Sequence, residues 1–193
     1  MERRVLGWPP DGPTLRLDHR RFSYAGKFVM TTTGKAVLRD PSAGSDREYD
    51  DNVVAAVAFD ADRTDPETLW LRYVTVCDDR RGEGHGPRLC AFLVERAADR
   101  GYERAHIAVN NPFAYEALYR AGFGFTGRET GLAELVLERS TDAPASRPAA
   151  AYREGLDLFR ERDLPEAAAA FLEARPSATA APPALLSATT EPD

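Results

Sequence analysis

The chain has 193 residues, enough for one full hydrophobic core and a small appendage. Its hydrophobic fraction of 43% and charged fraction of 29% are those of an ordinary soluble globular protein. A net charge of -6 argues against broad binding to nucleic acid or an anionic membrane, and apolar runs such as Val53 to Phe59 are too short to span a bilayer.

The opening Met1-Glu2-Arg3-Arg4 soon reaches Gly7-Trp8-Pro9-Pro10, without the long apolar stretch of a secretory signal. The expected location is therefore cytoplasmic, with Cys77 and Cys90 as free thiols; their spacing suits no metal. Residues 1–13, rich in Pro and Gly, read as an irregular arm. Leu15, Leu17 and Phe22 lie in an extended stretch, and residues 14–50 show no helical period. Phe28 to Thr33 and Ala36 to Arg39 read as two short strands joined through Gly34, followed by a polar loop over residues 40–46. Val53 to Phe59 suits a strand covered on both faces, and Leu69 to Val76 an antiparallel neighbour.

A glycine-rich turn follows: Arg81-Gly82-Glu83-Gly84-His85-Gly86. After it, Leu89, Cys90, Leu93, Val94 and Ala97 have helical spacing, with a helix start at Pro87 or Arg88 and a stop at Gly101. Ala105 to Val109 reads as a strand. Pro112 to Ala121 reads as a helix closed by Gly122, and Phe123 to Thr126 and Leu132 to Leu137 as a last strand pair. Residues 140–151 read as a linker. Residues 152–175 resemble one tetratricopeptide-like helical hairpin, which cannot bury its apolar face alone and must pack on the main domain, a second copy or a protein partner. Residues 176–193 are Ala/Pro/Ser/Thr-rich and expected to be disordered.

The glycine turn carries the chemistry. The first amides of a helix have no internal partner and sit at the positive end of its dipole. Glycines let a diphosphate approach that backbone closely. Arg80 or Arg81 could add a charge-assisted contact. A plain strand-to-helix connection is the alternative reading. The Gly-x-Gly-x-Gly spacing does not fit a dinucleotide fingerprint, which needs Gly-x-Gly-x-x-Gly.

Arg81-x-x-Gly84-x-Gly86, after the strand end Val74-x-Val76, resembles the acetyl-CoA diphosphate motif of the GNAT superfamily of N-acetyltransferases. The segment Asn110-Asn111-Pro112-Phe113-Ala114-Tyr115-Glu116-Ala117-Leu118-Tyr119-Arg120-Ala121-Gly122-Phe123 is similar to that family's second motif, with one extra residue between Asn111 and the Leu-Tyr pair. The resemblance covers residues 50–139 of a domain spanning 1–139. It implies a mixed α/β fold with a mostly antiparallel sheet, a splayed parallel strand pair and flanking helices. It also implies acetyl-CoA as acyl donor, held by Val74, Val76, Arg81, Gly82, Glu83, Gly84, His85, Gly86 and Asn111. Tyr119 is similar to the tyrosine that protonates the departing thiolate, a role suited to a phenol that stays protonated at neutral pH. Tyr119 as a packed aromatic, and Asn110 or Asn111 as a simple helix cap, are the alternatives.

The glutamate that many relatives carry on the strand before the turn has no counterpart in Leu69 to Val76. His106, Asp78, Glu48 or a base acting through water are the candidates. The implied function is acetyl transfer to an amine of unspecified identity, without metal, nucleic acid or membrane. A non-catalytic acyl-CoA-binding module, and a homodimer or protein partner held by the hairpin, are the other expectations.

Overall fold

A computed structural model describes residues 1–42, 48–176 and 179–185. Seven strands form one sheet: β1 Glu2–Gly7, β2 Gly34–Arg39, β3 Val53–Ala61, β4 Thr68–Val76, β5 Arg104–Val109, β6 Gly124–Glu129 and β7 Leu135–Ser140. Four α-helices accompany them: α1 His85–Ala98, α2 Pro112–Arg120, α3 Ala149–Arg160 and α4 Glu166–Glu173. The strand order is β1-β2-β3-β4-β5-β7-β6, and only β4 and β5 are parallel. This is the mixed, mostly antiparallel α/β architecture expected. The expected polar loop of residues 40–46 falls partly outside the described residues.

β3 explains the layering. Val54, Val57 and Phe59 join the core beneath α1, α2 and α3, while Val53, Ala56 and Ala58 join a second core. Small alanines let layers approach both faces of one strand. The second layer is irregular chain: Leu15, Leu17, Phe22, Ala25 and Phe28 cover that face of the sheet.

Two expectations are corrected here. The supposed N-terminal arm contains β1, which pairs antiparallel with β2 at the sheet edge. Its local composition is unremarkable for a strand; the unpaired edge of β2 recruits it. Phe28 to Thr33 is not a strand. A 3₁₀ turn at Ala25–Lys27 precedes it. The buried ammonium of Lys35 then folds the segment by bonding Met30 O at 2.6 Å and Thr33 O at 2.7 Å.

The hairpin is part of the main core. Tyr152, Leu156, Phe159 and Leu172 share the cluster that contains Tyr115, Tyr119 and Leu93. Each large side chain so buried contributes about 1.5–3 kcal/mol, which offsets part of the entropy lost on ordering the hairpin and segment 140–151. That segment is itself tied down: Ala145 N donates to Gly122 O and Arg147 Nη1 to Tyr119 O, both at 2.8 Å. Glu116 on α2 binds Arg175 beyond α4, Arg120, and the Tyr152 hydroxyl.

Part of the tail lies among the described residues. Residues 177–178 and 186–193 lie outside the described residues. Thr179 to Leu185, however, runs back over the domain and bonds to it, with Leu185 N donating to Arg120 O. Its sequence is polar-poor but apolar enough to lie on a neighbouring surface once the fold supplies one.

Candidate active site

The parallel pair opens partway along. β4 and β5 are paired at four positions, from Thr68 with Arg104 to Leu71 with Ile107. β4 then follows β3 as far as Val76 opposite Ala55, and β5 follows β7 as far as Val109 opposite Leu135. The split starts at a bulge: Ala58 faces Tyr73 while Phe59 faces Leu71, leaving Arg72 as the extra residue. A bulge bends its strand and re-aims the side chains beyond it. Before it Leu69 and Leu71 face the helical core; after it Val74 and Val76 do. Arg72 itself is held outside by Asp60 at 2.7 Å.

Cys77 N donates to Val54 O at 2.9 Å. In an antiparallel ladder the amides alternate in direction. The Val74 and Val76 N–H groups therefore point away from β3 and into the gap. These two expected residues thus offer backbone donors along the split.

At the open end stands the mouth of α1. The helix starts at His85, two residues earlier than expected, because Gly84 adopts φ 78° at its N-cap and makes no side-chain cap. Only Arg88 N, to Gly84 O at 3.3 Å, closes the first turn. Among the described residues no acceptor meets the amides of Gly82, Glu83, Gly84, His85 or Gly86. Pro87 has no N–H to offer. A Cβ on Gly86 would lie 3.3 Å from Val76 Cγ2, so glycine lets the mouth sit close on the end of β4. A cluster of unpaired amides at a helix N-terminus, opening on a split between strands, fits an anionic diphosphate with an extended arm.

The charged side chains of the turn mostly serve one another. Arg80 holds the Glu83 carboxylate at 3.0 Å, and His85 Nε2 lies 2.9 Å from it. The Arg80 contact keeps the Glu83 carboxyl below the usual carboxylate range. Arg81 reaches Asp78 at 2.5 Å and Ser23 Oγ at 2.9 Å, tying the turn to the irregular layer. Ser23 carries no sequence signal for this contact. The turn therefore presents backbone dipoles together with the Arg88 guanidinium, which lies over Gly84 and donates through Nη1 to Glu83 O at 2.8 Å.

Asn111 is the N-cap of α2, with Oδ1 accepting from Ala114 N at 2.9 Å and Nδ2 donating to Asn110 Oδ1 at 3.2 Å. Tyr119 is fully buried, and its hydroxyl accepts from Phe125 N at 3.0 Å and faces Tyr115 Oη at 3.3 Å. Burial raises its pKa. Phe125 belongs to β6, which lies beyond β7 from β5. By ordinary strand spacing that is about 10 Å from β5, on the side away from the split. The structure thus gathers the glycine turn, Val74 and Val76, and turns the Tyr119 hydroxyl elsewhere.

Of the candidate bases, His106 sits in the paired half of β5 beside Trp70, with Nε2 2.6 Å from Glu138. Asp78 is at the turn but paired with Arg81. Glu48 is exposed. Cys77 and Cys90 are buried free thiols; burial pushes Cys90 up to about 12. Among the described residues no group of three or more His, Cys, Asp or Glu could hold a metal. No helix among them is long and apolar enough to cross a membrane.

The model of the acetyltransferase (GNAT) family matches residues 15–125. No curated protein matches the sequence. Among solved structures the chain is similar to a nourseothricin acetyltransferase, at 17% identity over 72% of this chain and 98% of that one, with a TM-score of 0.48. It is also similar to a putative GNAT acetyltransferase from Desulfovibrio desulfuricans, at 12% identity over 56% and 69% with a TM-score of 0.47. A Bacillus subtilis acetyltransferase in complex with CoA matches at 14% identity over 55% and 75%, with a TM-score of 0.44. The family match spans the second layer, the glycine turn and α2, and the chain belongs to the GNAT acetyltransferase family.

Proposed function

We propose that the chain moves an acetyl group from acetyl-CoA to an amine. The carrying observation is the set of unpartnered amides from Gly82 to Gly86 at the mouth of α1. These bind the diphosphate, and Gly84 and Gly86 keep side chains out of its way. The Val74 and Val76 backbone groups line the split and orient the pantetheine arm. Acetyl-CoA supplies an activated thioester. The Val76 N–H, fixed in place by the β3 ladder, stabilises the negative charge that develops on the thioester oxygen as the amine attacks. Asn111 acts by starting α2 at the end of β5, which sets the far wall of the split.

Tyr119 is given no part in the proton's route, because its hydroxyl lies against Phe125 N of β6, on the side of the sheet away from the split. No carboxylate of the chain is assigned as general base. The acceptor is an amine of unassigned identity.

The test is a calorimetric titration with acetyl-CoA, followed by free-thiol release with a panel of small amines and lysine peptides. Micromolar binding and amine-dependent thiol release are expected. No affinity for acetyl-CoA or CoA would refute the proposal. Binding without turnover on any amine would favour the acyl-CoA-binding module.

A further inference from the structure

The stretch Thr179 to Leu185 ends against the same mouth. Ala181 packs on the core shared by α1 and α2. Pro182 O accepts from Arg147 Nη1 at 3.0 Å, while the same nitrogen donates to Tyr119 O at 2.8 Å. Leu185 N donates to Arg120 O at 2.6 Å, the last residue of α2. The Leu185 side chain then reaches α1: a Cβ built on Gly84 would lie 3.6 Å from its Cδ1, beside the Arg88 guanidinium, whose Nη1 would be at 3.0 Å. The chain therefore crosses from the C-terminal end of α2 to the N-cap of α1.

These contacts are few. Among the described residues they amount to two hydrogen bonds to the domain and a little apolar surface, on a segment without helix or strand. Pro182 and Pro183 stiffen the segment and lessen the entropy lost when it docks. Leu185 is apolar and cannot accept a hydrogen bond through its side chain. Lying at Gly84, it leaves the amides of His85 and Gly86 unpaired. An anion at the mouth would satisfy those amides and could displace the segment.

We propose that residues 179–185 are a displaceable cover over the mouth of α1, so that the segment and the acyl donor exclude one another. This rests on the reading of that mouth as the diphosphate site. The full-length chain then holds two states, covered and open, and only the open one binds donor. Apparent affinity is lowered by the fraction open. Whatever stabilises the cover slows the enzyme, and whatever draws it away activates it.

The experiment uses the full-length chain and its full-length Leu185→Pro and Leu185→Gly variants. The proline removes the amide that bonds Arg120 and the side chain at Gly84; the glycine removes only the side chain. Acetyl-CoA affinity is measured by calorimetry, and hydrogen exchange at Ala184 and Leu185 is followed in wild type with and without acetyl-CoA. Leu185→Pro is expected to bind about five- to tenfold more tightly, Leu185→Gly less so but in the same direction. Exchange at Ala184 and Leu185 is expected to speed up when acetyl-CoA binds. Unchanged or weaker binding by both variants, with unchanged exchange, would overturn the cover while leaving the donor site standing. Failure of all three proteins to bind acetyl-CoA would overturn both proposals.

Discussion

The Tyr115 hydroxyl fills the space that a side chain at Gly155 would need: a Cβ there would lie 2.1 Å from the oxygen. The phenol crosses from α2 to α3 and donates to Ala151 O or Tyr152 O, each at 3.2 Å. Its ring stacks on Tyr152 at 5.7 Å. Intrinsic helix propensity favours alanine over glycine by about 1 kcal/mol. The packing argues the other way, since Tyr115 has no room to retreat. Gly155→Ala is therefore expected to lose about 2 kcal/mol in a urea melt, net of propensity. A variant as stable as wild type would show that α3 is held loosely.

Tyr119 separates catalysis from packing. Tyr119→Phe leaves Phe125 N without its acceptor, which should cost about 1 kcal/mol of stability. Thiol release per folded molecule should stay within about threefold of wild type. A fall of about tenfold or more, typical of a lost general acid, would return the proton to this phenol.

Lys35 is fully buried, with Nζ bonding Met30 O, Thr33 O and Thr33 Oγ1 at 2.6–2.7 Å. Burial pulls its pKa down from 10.5 to about 8. Between those values the unfolded chain binds more protons, so this group makes stability rise with pH across that window. The three acceptors favour the ammonium and work against that shift. Lys35→Met removes a donor from all three oxygens, leaving Met30 O only its 3.3 Å bond from Thr33 Oγ1, and should cost about 2 kcal/mol at pH 7. Melts of both proteins from pH 7 to 10.5 check the size and the sign.

Glu116 gives the opposite pH sense. Burial raises its pKa, but the hydrogen bonds and charges of Arg175 and Arg120 outweigh it and leave the carboxyl below its ordinary 4.5. Its contribution is therefore present above pH 4.5 and lost as the pH falls through the lower folded value. Glu116→Gln should cost about 1–2 kcal/mol at pH 7, after allowance for the exposure of Arg120. The gap from wild type should close on acidification. A gap that persists in acid would mean shape, not charge, holds α4 to α2.

Much of the fold was legible because its signals are local. The apolar run of β3, the period of α1 and the stop at Gly101 each follow from a few adjacent residues. The glycine turn was legible too, and its motif carried the family. Where the reading failed, the cause lay in pairing and burial that residue type does not announce. β1 forms because β2 offers an edge. Phe28 to Thr33 turns because Lys35 folds back upon it. The hairpin docks because α2 presents Tyr115 and Tyr119 to Tyr152 and Phe159.

The sequence by itself determined the elements, the glycine mouth and the chemistry of its backbone, since these depend on residue type and near spacing. The tertiary structure alone decided where β4 parts from β5, where the Tyr119 hydroxyl points and what lies over Gly84. Each of those depends on a residue of another element: Phe59 on β3 in register with Leu71 on β4, Phe125 on β6 bonding Tyr119 on α2, Leu185 of the tail at the first turn of α1. Such pairings follow from packing, and no short window of residues encodes them.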